Sequence, residues 1–460
     1  MSPVLTGAIA SRFERVVGSS YVRTEPAELA GYQIDGRLPI VLVKAGSPEE
    51  AAAIVRIAVE EKCSVIPCGA RSSLEIGLMP AHCDVALDMT RVDGIVHYDP
   101  GDLTISVNAG TRLARLSDAL AEKRQFLPLD VPFFESATVG GAIASGLDSP
   151  LRHFYGTARD FVIGAEFVDG AGALAKSGGR VVKNVTGYDF HKLMIGSLGS
   201  LAVITRVNFR TFPLPTSRRG FLASFVEEGG AFEFVRGVVA SPLTPAVLEV
   251  ISREFVTSFS QQKASAASLF GNVQAWTVCV GFEGSNEVCE RYERGLERLA
   301  RTASAQHTTV VKDSEFAALL EVLREAPALM KTGAAHSVVL RFVTLPSNMR
   351  ELLRVLRDFE SYSQISCAVL ARSTSIVYVA LLPRDGDETA LKQIASLCKG
   401  IDTMRKQMEL NVSTLFCPAE WKAELSVWNP TADVLDIARR VKKAFDPNGT
   451  FASGRFVGGI

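Results

Sequence analysis

One stretch of the chain, residues 138–212, constrains the fold and the function more than any other. It places four glycine-bearing turns between apolar runs, and small residues and hydroxyl groups recur in these turns. Glycine lets a backbone approach a ligand closely, and successive backbone N–H groups in such turns form concave sites for anions. The stretch therefore predicts a surface for a large, flat, phosphorylated ligand. The four turns are Thr138-Val139-Gly140-Gly141, Tyr155-Gly156-Thr157-Ala158-Arg159-Asp160, Lys183-Asn184-Val185-Thr186-Gly187-Tyr188-Asp189 and Gly196-Ser197-Leu198-Gly199.

A second candidate site lies upstream, in a loop that follows a short apolar strand. The loop reads Pro67-Cys68-Gly69-Ala70-Arg71-Ser72-Ser73. Its amides and hydroxyls can donate hydrogen bonds to a pyrophosphate, and Arg71 adds a positive charge. An ordinary turn between strands has the same composition, so the loop alone identifies no ligand. The first domain lacks a Gly-x-Gly-x-x-Gly sequence between a strand and a helix, which disfavours a Rossmann dinucleotide site.

Thr138 is expected to begin a short helix whose first turn contains Gly140 and Gly141. A helix start with two glycines suits an anionic or electron-rich edge of a ligand. A tightly packed core helix of small residues explains the same sequence equally well. Taken alone, this motif leaves both interpretations open.

The 460 residues are enough for two or three domains, and Pro213 and Pro215 close a strand at the clearest boundary. We expect domains at residues 1–215, 216–405 and 406–460. Past residue 216, strand-like runs alternate with amphipathic helices. This pattern predicts an α+β fold class, in which the second domain is an antiparallel sheet with helices on one face.

Local signals predict where several helices begin. Ser47, Thr111, Ser285 and Ser347 are each expected to cap a helix, and Glu50 is expected to complete a capping box with Ser47. Residues 431–445 are expected to form an amphipathic helix that stops at Pro447 and Gly449.

Composition excludes several classes of function. The formal net charge is −1, which gives no electrostatic case for binding nucleic acid. The eight cysteines form no Cys-x-x-Cys pair, so we expect buried thiols and no metal site. Residues 1–10 lack the pattern of a signal peptide, and no apolar run has the length of a membrane span. A cytoplasmic protein is the expectation.

The order of the motifs resembles a known family. It is similar to the PCMH-type FAD-binding fold of the vanillyl-alcohol oxidase superfamily, and within it to the FAD-binding E subunits of bacterial glycolate oxidases. The similarity covers residues 37–215 and the C-terminal tail, and it is only architectural between them. Besides the loop and the four turns above, the matching blocks are Leu127-Pro128-Leu129-Asp130, Ser149-Pro150-x-Arg152 and the tail Phe445-Asp446-Pro447-Asn448-Gly449-x-Phe451-Ala452-Ser453-Gly454-Arg455.

The resemblance implies a role for each block. Residues 67–73 would hold the FAD pyrophosphate, and Thr138, Gly140 and Gly141 would lie along the flavin and its phosphates. Thr157 and Asp160 would contact the ribityl–pyrophosphate region. The backbone at Val203 and Ile204 would meet the adenine or ribose side. The residues Lys183, Asn184, Gly187 and Tyr188 would lie near the flavin, although structural roles for them are also open.

Two departures from the family pattern refine these expectations. Relatives with a covalent flavin carry a histidine in the pyrophosphate loop, where this chain has Arg71, so the resemblance implies non-covalent FAD. Catalytic 2-hydroxy-acid dehydrogenases of this kind carry a histidine-rich block in the second domain. Residues 367–378, the comparable segment here, contain no histidine, and none follows His336. The catalytic base is therefore left unassigned.

The resemblance implies an FAD-binding subunit of a 2-hydroxy-acid (glycolate-type) oxidase or dehydrogenase. Its partners would be a homologous flavoprotein subunit and an iron–sulfur subunit, and its substrate a small 2-hydroxy acid. Such partners could bring a cytoplasmic chain to a membrane. Two alternatives stay open: a self-sufficient FAD-dependent dehydrogenase for an alcohol or a hydroxy acid, and a non-catalytic structural subunit.

Overall fold

The computed structural model describes residues 3–180, 187–259, 269–270, 274–384 and 388–460 of the chain. They form two subdomains that share a cleft, a large domain that covers one side of them, and a C-terminal segment that returns to the cleft. The large domain is called the cap below. Within the described residues, no helix has both the length and the apolar character needed to cross a membrane.

The first subdomain is built on a four-stranded sheet of order β1-β2-β4-β3, in which β2, β3 and β4 run parallel. Two helices, α1 and α3, pack their apolar faces against it. Ser47 caps α3 as expected, because its hydroxyl accepts a hydrogen bond from the amide of Glu50 (3.1 Å). The elements are α1 (Pro3–Val17), β1 (Val22–Arg23), α2 (Pro26–Leu29), β2 (Val41–Lys44), α3 (Pro48–Glu60), β3 (Val65–Cys68) and β4 (Val85–Asp88).

The second subdomain is a five-stranded antiparallel sheet of order β5-β6-β10-β8-β9, with a small separate pair of β7 and β11. Its elements are β5 (Ile95–Asp99), β6 (Thr104–Asn108), α4 (Leu113–Ala121), β7 (Gln125–Phe126), α5 (Val139–Ser145), α6 (Arg152–Tyr155), α7 (Ala158–Phe161), β8 (Val162–Val168), β9 (Leu174–Gly178), α8 (His191–Met194), β10 (Val203–Arg210) and β11 (Phe212–Pro213).

One expected cap in this subdomain is wrong. Helix α4 begins two residues after Thr111, and its N-cap is Arg112, which makes no side-chain cap. The Thr111 hydroxyl instead accepts a hydrogen bond from the amide of Gly94 (2.8 Å). Thr111 therefore ties the turn before β5 to the start of α4, a long-range contact that the local sequence pattern does not reveal.

The cap is a single eight-stranded antiparallel sheet of order β15-β12-β14-β13-β17-β18-β16-β19. Its strands are β12 (Ser217–Phe225), β13 (Val247–Ser252), β14 (Trp276–Gly284), β15 (His307–Lys312), β16 (Val338–Val343), β17 (Ser366–Arg372), β18 (Ile376–Leu382) and β19 (Asn411–Phe416). Its helices are α9 (Glu228–Ala240), α10 (Arg253–Phe259), α11 (Asn286–Thr302), α12 (Asp313–Lys331), α13 (Met349–Ser363) and α14 (Ala390–Met408).

The cap is an internal duplication. The first half runs β12-α9-β13-β14-α11-β15 and the second runs β16-α13-β17-β18-α14-β19, each with the same strand order, and the halves join where β13 pairs with β17. Helices α9, α11, α13 and α14 cover one face of the sheet. Helices α10 and α12 lie on the other face, between the sheet and the two subdomains. Helices on one face of the cap sheet were expected. The structure has four there, and it places α10 and α12 on the opposite face.

Two further expectations differ from the structure. Strand β19 lies beyond residue 405, so the cap sheet extends into the segment 406–460. Ser285 caps α11 as expected, but Ser347 lies inside a short 3₁₀ turn and Asn348 precedes α13.

The C-terminal segment ends with α15 (Ala432–Phe445) and a tail that pairs with the first sheet. The amide of Val65 donates to the carbonyl of Thr450 (2.7 Å), and the amide of Ala452 donates to the carbonyl of Val65 (2.9 Å). Lys442 stabilises this return, since its ammonium group donates to Asp446 (2.6 Å) and to backbone carbonyls. The tail thereby becomes part of the wall of the cleft.

Candidate functional site

The cleft between the two subdomains brings together most of the residues that the sequence singles out. It contains about 750 Å³ of empty space, a volume that includes the part open to solvent. The residues of the sequence prediction that line it are Pro67, Cys68, Gly69, Ala70, Arg71, Ser72, Ser73, Thr138, Gly140, Gly141, Val203 and Ile204. Further lining residues that the prediction did not include are Leu74, Met89, Ala109, Ala144, Ser145, Leu198, Gly199, Ala202 and Arg455.

The loop of residues 67–73 offers hydrogen-bond donors that the protein does not use. The backbone amides of residues 69–73 make no hydrogen bond to any other described residue. Backbone N–H groups are obligatory donors, so amides that the protein itself leaves unbonded donate to solvent or to a ligand. Arg71 has a left-handed backbone (φ 68°), which turns the chain sharply here. These donors fit the phosphate groups of the cofactor that the resemblance implies.

Arg71 also reaches a second, polar pocket that shares the loop with the cleft. Its guanidinium lies over the ring of Tyr32, 4.5 Å from the ring centroid, and the Tyr32 hydroxyl donates to Asp88 (2.5 Å). Lys44 and Arg112 line the same pocket. The side chain of Arg71 is therefore held in a positively charged region beside the loop.

Cys68 is the only thiol in the loop, and its environment makes it a poor nucleophile. The side chain is buried, and its thiol donates to the carbonyl of Ile66 (3.3 Å). Burial raises the pKa of the Cys68 thiol far above its usual range, and the charge of Asp88 raises it further. Because the thiolate is the reactive form, this environment disfavours a covalent link between Cys68 and a flavin.

Helix α5 has the predicted start at Thr138, whose hydroxyl accepts from the amide of Gly141 (3.3 Å). The amide of Val139 donates to Thr111 and that of Gly140 donates to Ala109. The first three amides of the helix are thus used within the protein. A ligand on this side meets the bare glycine surface, and it does not meet free N–H groups.

The two glycines of α5 differ in what their missing side chains would meet. A Cβ atom on Gly140 would lie 2.8 Å from the Cβ atom of Ala109, so Gly140 is required for packing. A Cβ atom on Gly141 would come within 4 Å of only the Thr138 hydroxyl, at 3.1 Å. Gly141 therefore presents its open face to the cleft, whereas Gly140 satisfies the packing interpretation of the motif.

Arg455 contributes a buried positive charge to the cleft. It is 2% exposed, and its guanidinium donates to the carbonyls of Leu74 and Ile76 (2.7 Å to Ile76). It pairs with no carboxylate of the described residues, and its Nε has no hydrogen-bond partner among them. Burial lowers the pKa of Arg455, although Cys68 and Asp35 oppose the shift. An anionic ligand group in the cleft would give the guanidinium a direct counterion.

Four predicted residues lie outside the cleft. Thr157 and Asp160 form a capping box for α7, in which the Asp160 carboxylate accepts from the amide (2.7 Å) and the hydroxyl (3.1 Å) of Thr157. The Tyr188 side chain is 81% exposed, and Gly187 is also exposed. All four were expected near the cofactor, and the structure places them outside the set of residues that line the cleft. Lys183 and Asn184 lie outside the described residues.

The interface between the two subdomains and the cap contains several ion pairs. Asp148 is buried, and its carboxylate accepts from Arg341 (2.7 and 3.0 Å), from the Tyr378 hydroxyl (3.0 Å) and from Arg152. Burial alone would raise the pKa of Asp148, but the charges of Arg341 and Arg152 outweigh it and hold the pKa below its usual range. The carboxylate is therefore ionised and fully engaged.

A second buried pair lies beside it. Arg372 and Glu249 are fully buried, and the Arg372 Nε donates to Glu249 (2.6 Å) while its Nη1 donates to the carbonyl of Asp148 (2.5 Å). Strands β17 and β18 carry Arg372 and Tyr378 at this interface, and neither strand contains a histidine. The described residues include no cluster of His, Cys, Asp and Glu that could hold a metal ion.

Comparison with known proteins agrees with this geometry. Residues 39–178 match the FAD binding domain family, and residues 214–370 match the C-terminal domain of FAD linked oxidases. The Escherichia coli glycolate oxidase subunit GlcE is 39% identical over 162 residues, which are 35% of this chain and 46% of that protein. The chain therefore spans about half the length of that relative in the match.

Longer matches are weaker in identity. The D-2-hydroxyglutarate dehydrogenase of Xanthomonas citri is 28% identical over 75% of this chain and 74% of its own length. The glycolate oxidase subunit GlcD of Bacillus subtilis is 22% identical over 91% of this chain and 89% of its own.

Solved structures with the same fold include the 4-ethylphenol oxidase of Gulosibacter chungangensis, with a TM-score of 0.76 and 15% identity over 99% of this chain and 97% of that one. p-Cresol methylhydroxylase has a TM-score of 0.75 at the same identity and coverage. These neighbours confirm the predicted α+β fold class, with a PCMH-type FAD-binding fold and an antiparallel cap.

Proposed function

We propose that the chain, whose residues 39–178 and 214–370 match the FAD binding domain family and the C-terminal domain family of FAD linked oxidases, is the FAD-binding subunit of a 2-hydroxy-acid oxidase or dehydrogenase. The observation that carries the proposal is the cleft, whose lining includes the unused loop amides, an Arg455 without a carboxylate partner among the described residues, and the open face of Gly141. Relatives named as glycolate oxidase subunits and as dehydrogenases of D-lactate and D-2-hydroxyglutarate support the substrate class.

Different residues of the cleft would bind different parts of FAD. The amides of residues 69–73 would donate to the diphosphate, and Arg455, which donates to the carbonyls of Leu74 and Ile76 just beyond that loop, would balance its charge. Gly141 would let the cofactor approach α5. Val203 and Ile204, at the start of β10, would line the adenine or ribose side. FAD, when bound, supplies the two-electron redox chemistry of the reaction.

The attachment would be non-covalent at the loop. Arg71 occupies the position where covalent relatives carry a histidine, and the Cys68 thiol is protonated at neutral pH because burial raises its pKa. The chain would thus release FAD when it unfolds.

Substrate oxidation would also need a base for the hydroxyl proton and a cation for the carboxylate. In this chain the arginines at the cap interface already have carboxylate partners: Arg152 and Arg341 pair with Asp148, and Arg372 pairs with Glu249. These pairings favour a complex in which a homologous flavoprotein subunit completes the reaction and an iron–sulfur subunit accepts electrons. They argue against a self-sufficient dehydrogenase.

Dye reduction by purified protein tests the proposal. We expect the chain alone to retain FAD but to reduce a dye slowly with glycolate or D-lactate, and co-expression with a homologous flavoprotein subunit and an iron–sulfur subunit to restore turnover. The Gly141→Val variant, which lacks room for FAD, serves as the matched control within the complex. Rapid turnover by the lone chain would contradict the subunit proposal and favour the self-sufficient enzyme. A complex that turns over equally well with Gly141→Val would favour a structural subunit.

A further inference from the structure

A pocket on the outer face of the cap belongs neither to the cleft nor to the interface with the two subdomains. It lies between helix α9 of the first half of the cap and the start of α13 of the second half, and residues of β13 and β17 also line it. Its volume is about 550 Å³. Pockets for small molecules occupy about 300–1,000 Å³, so this one is large enough for an organic ligand.

The duplication of the cap places this pocket at the junction of the two halves. Within each half the outer helices pack together, α9 against α11 and α13 against α14. Across the junction, an ion pair joins Glu228 at the start of α9 to Arg357 in α13. The later turns of α9 and the first turn of α13 line the pocket. The pocket therefore occupies the end of the junction that this ion pair does not close.

Several apolar side chains in the wall of the pocket are accessible to a ligand. Val239 is 57% exposed, Ala240 and Pro346 are also exposed, and Phe232 is half-buried. Removal of such surface from water favours the binding of an apolar group. A concave apolar wall with a few polar groups is typical of small-molecule sites.

The charged residues of the pocket leave one positive charge unbalanced. Arg236 pairs with Glu233, so these two residues balance each other. Arg350 is exposed and has no carboxylate partner among the described residues. Its guanidinium is therefore available to an anion, and arginine can bind a carboxylate through two parallel hydrogen bonds.

We propose that this pocket binds a monocarboxylate that carries a hydrocarbon chain of medium length. The chain lies against Phe232, Val239 and Pro346, and the carboxylate pairs with Arg350. A partner protein fits less well, because a stable interface buries about 800 Å² on each partner and the rim of this pocket is charged. The site is independent of the proposed function, since its residues do not line the cleft.

Calorimetric titration of the FAD-loaded, full-length chain tests the proposal. Octanoate is compared with butyrate, which has the same charge and a shorter chain, and with octylammonium, which has the same chain length and the opposite charge. We expect octanoate to bind at least tenfold more tightly than either. The proposal is overturned if butyrate or octylammonium binds as tightly as octanoate, or if octanoate does not bind.

Two exposed valines locate the hydrocarbon chain. Val239→Trp places a large ring at the pocket and should abolish octanoate binding. Val226→Trp is the matched control, because Val226 is 56% exposed and does not line the pocket, and its affinity should stay within twofold of the wild type. Both variants should keep the flavin absorbance spectrum, since neither residue lines the cleft. Equal octanoate affinity in the two variants would overturn the proposal.

Two arginines of α13 locate the carboxylate. Arg350→Gln should weaken octanoate binding about three- to fivefold, as expected for loss of an exposed ion pair. Arg354→Gln should leave the affinity unchanged, because Arg354 pairs with Glu351 and Asp358 and does not line the pocket. An Arg350→Gln variant that binds octanoate like Arg354→Gln would contradict the assigned carboxylate position.

Discussion

The cleft and the cap interface are both rich in arginine, but they use it in opposite ways. At the interface, Arg341 and Arg372 are paired with buried carboxylates of this chain. In the cleft, Arg455 is 2% exposed and pairs with no carboxylate of the described residues, and the amides of the neighbouring loop make no hydrogen bond to them. The interface arginines therefore stabilise contacts within the protein, whereas the donors of the cleft are available to a ligand. The contrast supports the proposal that the cleft holds the cofactor.

The largest effect is expected at the interface, from Arg372→Met. This change leaves Glu249 buried without its partner, which costs about 3–5 kcal/mol of folding free energy. Chemical denaturation of the purified protein measures the loss. The double variant Glu249→Gln with Arg372→Met removes both charges and should recover a large part of it. If the single variant were as stable as the wild type, Arg372 would not be a structural pair as described.

The next effect is expected in the cleft, from Gly141→Val. The branched side chain would occupy the open face of α5, so we expect folded protein with FAD affinity reduced at least a hundredfold. Flavin absorbance after reconstitution and gel filtration measures it. Gly140→Val is the comparison, because its side chain would collide with Ala109 and should unfold the region. Full FAD occupancy in Gly141→Val would show that the cofactor does not pass this position.

A smaller effect is expected from Arg455→Gln. Charge-assisted hydrogen bonds contribute about 1.5–3 kcal/mol each, so loss of this cation should weaken FAD binding about 10- to 100-fold. Stability of the FAD-free protein should change little or rise, since an unbalanced buried charge is removed. Titration of apoprotein with FAD, followed by flavin fluorescence, measures the affinity. An unchanged affinity would place the diphosphate away from Arg455.

The smallest expected effect is on the pH dependence of stability, and it arises from a hydrogen bond across the cap interface. The Tyr155 hydroxyl donates to Glu283, and burial raises the pKa of Glu283 to about 7. The folded protein holds the Glu283 proton more tightly than the unfolded chain does. The stabilisation that protonated Glu283 contributes is therefore fully present below its ordinary pKa. It is lost as the pH rises through about 7.

Glu283→Gln should therefore flatten the pH dependence of stability between pH 5 and 8. Denaturation midpoints across that range, for the wild type and the variant, provide the measurement. Parallel curves for the two proteins would contradict the assignment.

The sequence predicted the local motifs that line the cleft, but it did not predict the long-range contacts that bring them together. The loop of residues 67–73 and the Thr138 helix follow from local turn and capping chemistry, and both line the cleft. Arg455 was visible only as part of a tail motif, because its burial depends on the return of the chain to β3. Tyr188 was expected near the flavin, yet its ring lies on the surface, since a conspicuous motif does not fix the direction of a side chain.

The same limit applies to the fold. Ser47 and Ser285 were predicted as caps and are caps, because capping depends on a few neighbouring residues. Thr111 was predicted as a cap and instead contacts Gly94, a partner 17 residues away. The duplicated cap was also not predicted, since its halves share strand order and not sequence. Pairing between distant segments, and not local propensity, accounts for these differences.

The absorbance spectrum of the purified wild-type chain, recorded before and after acid precipitation, tests the central claim most directly. The account predicts a flavin spectrum in the native protein, and FAD in the supernatant with a colourless pellet after precipitation. Absence of flavin even after reconstitution with FAD would contradict the assignment of the cleft. Yellow colour retained by the pellet would contradict the non-covalent attachment inferred from Arg71 and Cys68.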